Sequence, residues 1–380
     1  MFILINLFYL FCLFPYIKFF PKVDTQPTAL ILGAIILVII LYKERSIPKE
    51  LLYFFVVSCI TILYISIDDL YSSLRGSMGY WSLSICSYIT YKTYNEVNFE
   101  KFLKYSINIW LLVGLTEKFF DRYFIKFLIS DVRTSTTRGV TGLAPEPTFY
   151  GIICIFFMIL VIETFQKNKK LYILNLLFQI FYLAQSSMAI LFLGIWILLY
   201  FFKNISLKNL CILLVTYIIV HIIILYFMEG TRVYDLYSNF QGIKQIFYKD
   251  ASFNQRASHI YYSLKGAIEN YFIPNGFVRW KEYSFIESLR KNYFYGFYPS
   301  KNGRIMSGFG GIIFEMGFLG IVLIIKYFYI LYKGLKNKEI SYFILIIMFS
   351  AIQISNPLLG NILGIALVKK LKNYCYKNSK

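Results

Sequence analysis

Long apolar runs dominate the sequence and are separated by short stretches of polar and charged residues. Most runs are 15 to 20 residues long, about the length of helix that crosses the ~30 Å hydrocarbon core of a membrane. Because helices satisfy their own backbone hydrogen bonds, the pattern predicts a bundle of ten to twelve membrane-spanning helices. The candidate spans lie at about residues 2–20, 28–42, 50–66, 77–91, 103–117, 149–165, 171–184, 187–202, 209–227, 308–331, 340–355 and 357–368.

The composition supports the same fold class. Of the 380 residues, 58% are hydrophobic and only 16% are charged, against ~25% charged residues in a typical soluble domain. The six cysteines occur singly, without metal-ligand or disulfide-framework spacing. We therefore predict an all-α, polytopic transmembrane bundle that forms a single membrane domain over residues 1–380.

The basic residues indicate an orientation. The net charge is +19, and a strongly basic chain can indicate nucleic-acid binding. Here, however, the lysines cluster in short loops on one side of the predicted bundle, which is typical of membrane topology. Nucleic acid is therefore not an expected partner, and both termini are predicted to be cytoplasmic. The N-terminal segment 1–15 lacks a basic start and a small-residue cleavage site, so we expect a retained first helix. The cytoplasmic loops and tail hold Lys43, Arg45, Lys49, Lys92, Lys101, Lys104, Lys167, Lys169, Lys170, Lys203, Lys208, Lys333, Lys336, Lys338, Lys369, Lys370, Lys372, Lys377 and Lys380.

Two long segments, residues 118–148 and 228–307, fall on the opposite, extracytoplasmic side. The larger has a helical pattern at 255–270 and a Pro-Asn-Gly turn at 274–276. It is also rich in aromatic residues, which a disordered linker would not be. We expect this segment to fold as a cap over the outer face.

Both long segments carry arginines, whereas the cytoplasmic loops use mainly lysine. Guanidinium groups bind phosphate and carboxylate oxygens in a bidentate manner, so the cap suits a ligand with a phosphate head and sugar rings. Alternatively, these arginines pair with acidic residues on a solvated surface. The candidate substrate-binding residues are Arg232, His259, Arg279, Trp280, Arg304 and Ser307.

The strongest local signal is the polar island, which we define as residues 138–151, RGVTGLAPEPTFYG. Pro145 and Pro147 exclude ordinary helix around Glu146 and hold its backbone extended, so its carboxylate has a fixed direction. A cap for the following helix is the alternative role for Glu146. Arg138, Glu146 and Arg256 are the candidate catalytic residues. No metal-binding or nucleotide-binding motif occurs, so no metal ion and no cofactor are expected.

Arg138, Gly142, Glu146, Pro147 and Gly151 resemble the signature of the Wzy-type O-antigen and capsular polysaccharide polymerases and of the related O-antigen ligases. Further stretches resemble the family in the same order. They are Gln185-Ser186-Ser187, Arg256 with Pro274 and Gly276, and Ser307-Gly308 with Glu315, Gly317 and Gly320. The ligases have a histidine near the last of these stretches; here Ser307 stands instead, which favours a polymerase.

The resemblance implies a reaction at the outer face of the bacterial cytoplasmic membrane. The enzyme transfers a growing glycan from undecaprenyl pyrophosphate to the next lipid-linked repeat unit. Arg138 and Arg256 would neutralise the leaving diphosphate, and Glu146 would act as general base or orient Arg138. Donor and acceptor are thus both undecaprenyl-pyrophosphate-linked oligosaccharides. Membrane lipids, a flippase and a chain-length regulator are the other implied partners.

Three alternatives remain open at this point. A membrane glycosyltransferase that uses single sugars on a polyprenyl phosphate would usually show acidic residues in the first outside loop, where this sequence has only Asp24. An O-antigen ligase would use the same chemistry with a different acceptor. A polysaccharide flippase or other transporter would place charged residues near the membrane midplane and in discontinuous helices. In this sequence the predicted spans carry few charged residues, and both long loops carry many, which favours an enzyme.

Overall fold

The computed structural model describes residues 1–20, 23–135, 138–202, 207–238, 251–290, 305–350 and 352–378. Within these ranges the regular structure is helical, apart from one isolated β-bridge between Ile17 and Ile129, and the all-α prediction is confirmed. The helices are α1 (Phe2–Leu13), α2 (Thr28–Glu44), α3 (Lys49–Ile60), α4 (Leu70–Thr93), α5 (Phe99–Phe119), α6 (Pro147–Thr164), α7 (Lys169–Phe178), α8 (Ser187–Phe202), α9 (Leu207–Phe227), α10 (Arg232–Ser238), α11 (Ala251–Glu269), α12 (Arg279–Leu289), α13 (Gly308–Gly334), α14 (Lys338–Ser350) and α15 (Pro357–Asn378).

Each predicted span overlaps one of these helices. In the part of the chain that is described, only α6 and α13 are both long and apolar enough to cross a membrane, while α1 and α8 are shorter apolar helices. The structure therefore shows membrane-compatible helices, and the number of spans stays a prediction. The first predicted span is shorter than expected, because α1 ends at Leu13. Pro15 follows closely, and proline fixes its own backbone and removes an N–H donor.

The chain packs as two compact units. One comprises Met1–Phe8, Pro27–Val97 and Gly242–Lys380, and the other comprises Tyr9–Gln26 and Asn98–Gln241. In the first unit, α4 packs closely against α15. Gly360 permits this approach, since a Cβ there would lie 2.5 Å from the Cβ of Cys86. Nearby, the Thr90 hydroxyl donates a hydrogen bond of 2.8 Å to Oδ1 of Asn361.

Helix α13, also in the first unit, is interrupted at Gly317. This glycine has φ 55° and ψ −129°, a conformation outside the helical region. The break is filled by the turn that follows α11. The N–H groups of Asn275 and Gly276 donate to the carbonyls of Phe314 and Glu315, at 3.2 and 3.0 Å. The predicted Pro-Asn-Gly turn is confirmed, and it supplies hydrogen-bond partners to the broken helix.

The second unit is built from α5 to α10 around a buried polar contact. The hydroxyl of Tyr150 on α6 donates to Oε1 of Gln179 at 2.9 Å and lies 3.1 Å from the carbonyl oxygen of Trp110 on α5. Gln179 begins a π-helical turn, Gln179–Ala184, that continues α7. Such turns widen the helix and present carbonyl groups that an α-helix would use internally. In this unit they support the polar island.

Candidate functional site

The first part of the polar island lies directly on the π-helical turn. The N–H of Val140 donates to the carbonyl oxygen of Leu183 at 2.9 Å. The preceding residue, Gly139, is so close to this turn that a Cβ atom would overlap the carbonyl oxygen of Ala184. Only glycine therefore fits at position 139 without displacing the backbone. This close contact fixes the position of the chain immediately after Arg138.

A buried carboxylate anchors the centre of the island. Glu117, in the last turn of α5, is 2% exposed. It accepts hydrogen bonds from the N–H groups of Thr141 and Gly142, at 2.9 and 2.6 Å, and from the Thr141 hydroxyl at 3.2 Å. Gly142 has a φ of 54°, which suits glycine best. Glu117 thus satisfies two backbone donors that face the end of a helix.

An arginine secures the end of the island. Nε of Arg133 donates to Glu146 at 2.7 Å, Nη2 to Asp24 at 3.0 Å, and Nη1 to Asp131 at 2.9 Å. Burial alone would lower the pKa of Arg133, but the contacts with Asp24 and Glu146 outweigh burial and raise this pKa above its usual value. Arg133 therefore stays charged and joins the island to the segment before α2.

Glu146 stands at the N-terminus of α6 with an extended backbone, at φ −142° and ψ 152°, as its two flanking prolines predict. Its side chain makes no capping hydrogen bond to α6 and is directed to Arg133 instead. The fixed direction of this carboxylate thus agrees with the sequence argument, whereas its arginine partner is Arg133 rather than Arg138.

Arg138 differs from Arg133 in the partners of its side chain. It is half-buried, and its backbone carbonyl accepts a hydrogen bond of 2.9 Å from Nη1 of Arg122, which also binds the carbonyl of Ser135. Over the described ranges, the Arg138 side chain itself makes no hydrogen bond and no ion pair. The island therefore presents one guanidinium whose charge is not neutralised by a neighbouring carboxylate, on a backbone held at several points.

The predicted residues of α11 and α12 lie in the other compact unit and are mostly buried. Arg256, His259 and Trp280 are 6%, 1% and 2% exposed. Nδ1 of His259 accepts the N–H of Met306 at 2.9 Å, and its ring lies 5.2 Å from that of Trp280. Burial lowers the pKa of His259 to about 3, so this imidazole is neutral at neutral pH. His259 and Trp280 therefore contribute to packing within this unit.

Other predicted positions have simpler roles. Ser307 caps α13, because its hydroxyl accepts the N–H of Gly310 at 3.0 Å. Arg279 is exposed and donates to Oδ1 of Asn275 at 3.2 Å. Arg304 and the side chain of Arg232 fall outside the described residues. The predicted cooperation of Arg138 with Arg256, which belong to different units, stays a prediction.

Sequence reasoning missed three residues that hold the island: Glu117, Arg122 and Asp24. One signal was available for Glu117, since a carboxylate in the last turn of a helix is unfavourable next to the negative end of the helix dipole. Its presence there indicates a local partner for the charge. The contact between Asp24 and Arg133 joins positions far apart in sequence, and no local pattern predicts it.

The sequence matches no family model, and it is not significantly similar to any curated protein. The resemblance to the polymerases therefore rests on the sequence motifs alone.

Proposed function

We propose that this protein polymerises oligosaccharide repeat units carried on undecaprenyl pyrophosphate, at the outer face of a bacterial cytoplasmic membrane. The observation that carries the proposal is the state of Arg138. It is a half-buried guanidinium without a carboxylate partner among the described residues. It lies in a loop that hydrogen bonds to Leu183 and Glu117 hold, before the long apolar helix α6. Such a group suits the diphosphate head of a lipid whose tail packs against apolar helices.

The chemistry needs little beyond charge stabilisation and positioning. The bond between the anomeric carbon of the donor glycan and the diphosphate oxygen breaks, and a glycosidic bond forms to a hydroxyl of the acceptor unit. That hydroxyl loses its proton, and the lipid diphosphate leaves with additional negative charge. Arg138 would neutralise this charge, the kind of stabilisation that usually contributes most to such transfers. Diphosphate is a good leaving group, so the step requires neither ATP nor a metal ion.

The contacts of Glu146 favour a positioning role over that of general base. Its carboxylate is engaged with Arg133 at 2.7 Å, and the same arginine also binds Asp24 and Asp131. A carboxylate fixed in this way keeps the end of the island in place for Arg138. With Glu146 engaged in this way, the proton of the acceptor hydroxyl passes to the departing diphosphate or to water.

The predicted location of the island favours an enzyme, whereas Glu315 beside the break in α13 at Gly317 is the one described feature that matches the discontinuous helices of transporters. In the predicted topology the island lies in an extracytoplasmic loop, just before the long apolar helix α6. A transporter would instead keep its charged residues near the membrane midplane. A loop at the outer face is where lipid-linked repeat units are available for polymerisation.

Deletion of the gene tests this function. In a strain that produces the surface glycan, deletion should leave single repeat units, so that the ladder of extracted polysaccharide collapses to one band. Complementation with the wild-type gene or with Arg45→Ala, a control in a predicted cytoplasmic loop, should restore the ladder. Arg138→Ala should fail to restore it at equal protein level. An intact ladder in the deletion strain would refute the proposal.

A further inference from the structure

Helices α11 and α12, the segment between them and Phe314 of α13 line an open cavity of about 300 Å³. It lies wholly within the first compact unit and apart from the residues assigned to the polar island. Binding pockets for small molecules have volumes of ~300–1,000 Å³, so this cavity accommodates a small ligand. Its polar lining residues are Glu269, Asn270, Asn275, Arg279, Glu282 and Tyr283.

The floor of the cavity is apolar and aromatic. Phe314 is 1% exposed, and its ring lies 5.6 Å from that of Tyr283. Gly266 on α11 makes this arrangement possible, because a Cβ at that position would lie 2.7 Å from the Phe314 ring and 2.9 Å from the Tyr283 ring. The absence of a side chain at Gly266 lets both rings approach the helix. The half-buried Tyr283 ring thus contributes an aromatic face to the lining of the cavity, with Phe314 packed behind it.

The polar groups around this floor are held in place by one another. The Tyr283 hydroxyl donates to Glu269 at 2.8 Å. Nδ2 of Asn275 donates to the carbonyl of Phe314 at 3.2 Å, which leaves Oδ1 of Asn275 to accept from Arg279. Glu282 is exposed and makes no hydrogen bond or ion pair with any other described residue. Its carboxylate is available to accept hydrogen bonds from a ligand.

Charged groups of both signs surround the cavity. Glu269 and Glu282 carry negative charge, and Arg279 lines the same cavity with positive charge. Nζ of Lys265, which contacts Glu287 at 2.5 Å, lies 3.6 Å from Glu269. A ligand with a strong charge of either sign would be repelled by a group of the same charge in or beside the cavity. Carboxylate oxygens, amide groups and a guanidinium beside an aromatic face instead match a ring that carries several hydroxyl groups, each of which both donates and accepts.

We propose that this cavity binds one uncharged sugar ring of the glycan on which the protein acts. The volume suits a single ring rather than a chain of several. The assignment of the ring to a repeat unit rests on the proposed function, whereas the binding of a neutral sugar rests on the cavity itself. The cavity would then hold a sugar ring of the substrate through residues that take no part in the proposed transfer step.

Saturation-transfer NMR on the purified full chain tests the binding directly. The protein is placed in phospholipid nanodiscs, because detergents with sugar heads would compete. The probes are glucose, galactose, rhamnose, N-acetylglucosamine and N-acetylgalactosamine, compared with the charged sugars glucuronate and glucosamine. At least one neutral sugar should receive saturation, and the charged sugars should receive less. Absence of transfer to all neutral sugars, or stronger transfer to a charged one, overturns the proposal.

Substitutions localise the site. Glu282→Ala should weaken the binding of the sugar about tenfold or more, the effect of one lost hydrogen bond to a charged group. Since Glu282 has no partner among the described residues, its removal should leave the thermal unfolding midpoint unchanged. Lys281→Ala changes the adjacent exposed residue on α12, which does not line the cavity, and should leave sugar binding unchanged. Equal binding by Glu282→Ala and the wild type would refute the assignment.

The glycan ladder separates this proposal from the proposed function. Glu282→Ala should shift the ladder to fewer repeats, whereas Arg138→Ala should abolish it. A ladder that survives gene deletion refutes polymerisation but not sugar binding. A ladder that is lost on deletion but is normal in Glu282→Ala, with normal sugar binding, refutes the cavity proposal alone.

Discussion

The carboxylate of Glu117 accepts a hydrogen bond of 2.6 Å from the backbone N–H of Gly142. With the neighbouring bond from Thr141, this contact joins the last turn of α5 to the loop that carries Arg138. A loop at a binding site must be held from elsewhere, because an isolated loop loses too much conformational entropy on ordering. Glu117, Arg122 and Arg133 perform this task for the polar island.

Glu117→Gln should destabilise the protein. Both backbone donors bind Oε2 of Glu117, so the amide oxygen can replace that atom. The neutral amide nevertheless loses the negative charge that strengthens these bonds, and its NH₂ group would stand where Oε1 now accepts the Thr141 hydroxyl. We expect a loss of ~1–3 kcal/mol in the free energy of unfolding, visible as a lower thermal unfolding midpoint, together with a shortened glycan ladder. Glu100→Gln on the same helix, which breaks only a partly exposed pair with Lys104, should cost less than ~1 kcal/mol. Equal midpoints for the two variants would contradict the anchoring role.

Substitutions at Arg133 and at Arg138 should have different effects, the first on stability and the second on activity. Arg133→Ala leaves Asp24 and Glu146 without their cation and should lower the free energy of unfolding by ~1–3 kcal/mol. Arg138→Ala removes no contact among the described residues, so its unfolding midpoint should equal that of the wild type while polymer is lost. Arg138→Lys keeps the charge without the bidentate geometry and should retain part of the activity. A destabilised Arg138→Ala protein with normal polymer would reverse the two assignments.

Gly139→Ala tests the close approach of the island to the π-helical turn. The added Cβ would overlap the carbonyl oxygen of Ala184, and relieving the overlap should cost ~1–3 kcal/mol. Gly194→Ala is the matched control, since a Cβ at Gly194 on α8 meets no atom within 4 Å. It should be neutral or stabilising by up to ~1 kcal/mol. Scanning fluorimetry of the two purified variants measures the difference; similar midpoints would count against the proposed packing.

His259 should make stability depend on pH. Its pKa is lowered to about 3 in the folded chain, against ~6.5 for an exposed histidine. Between these values the unfolded chain binds a proton that the folded chain does not, so stability falls as the pH is lowered through this window, by at most ~1.4 kcal/mol per unit. His259→Asn retains an acceptor for the Met306 N–H and cannot titrate. Its unfolding midpoint should decrease less between pH 7 and pH 5; identical pH profiles would contradict the assignment.

Most of the helices could be predicted from the sequence, because apolar runs and their polar ends are local features. Pro15 explains why the first helix ends early, and a proline is a local feature of the sequence from which this end could be predicted. The Pro-Asn-Gly turn at 274–276 was predictable too, but its insertion into the break at Gly317 was not, since that contact depends on packing between distant segments.

The residues of the candidate site also divide into features that the local sequence predicts and features that depend on contacts between distant segments. The prolines beside Glu146 predicted its extended backbone correctly. The identity of its partner depended on which of two nearby arginines faces it, and this is decided by the position of Asp24, more than a hundred residues before Arg133. Likewise, His259 and Trp280 looked like ligand-binding groups in a polar loop, but tertiary packing buries both. Side-chain type indicated the chemistry available, whereas long-range contacts decided its use.

Reconstitution tests the central claim most directly. The purified protein is placed in phospholipid vesicles with lipid-linked repeat units extracted from the deletion strain, without nucleotide sugars, ATP or divalent metal ions and with a chelator present. The account predicts a ladder of polymerised glycan and release of undecaprenyl pyrophosphate, with neither product formed by Arg138→Ala. Repeat units that remain single in the presence of folded wild-type protein would contradict it.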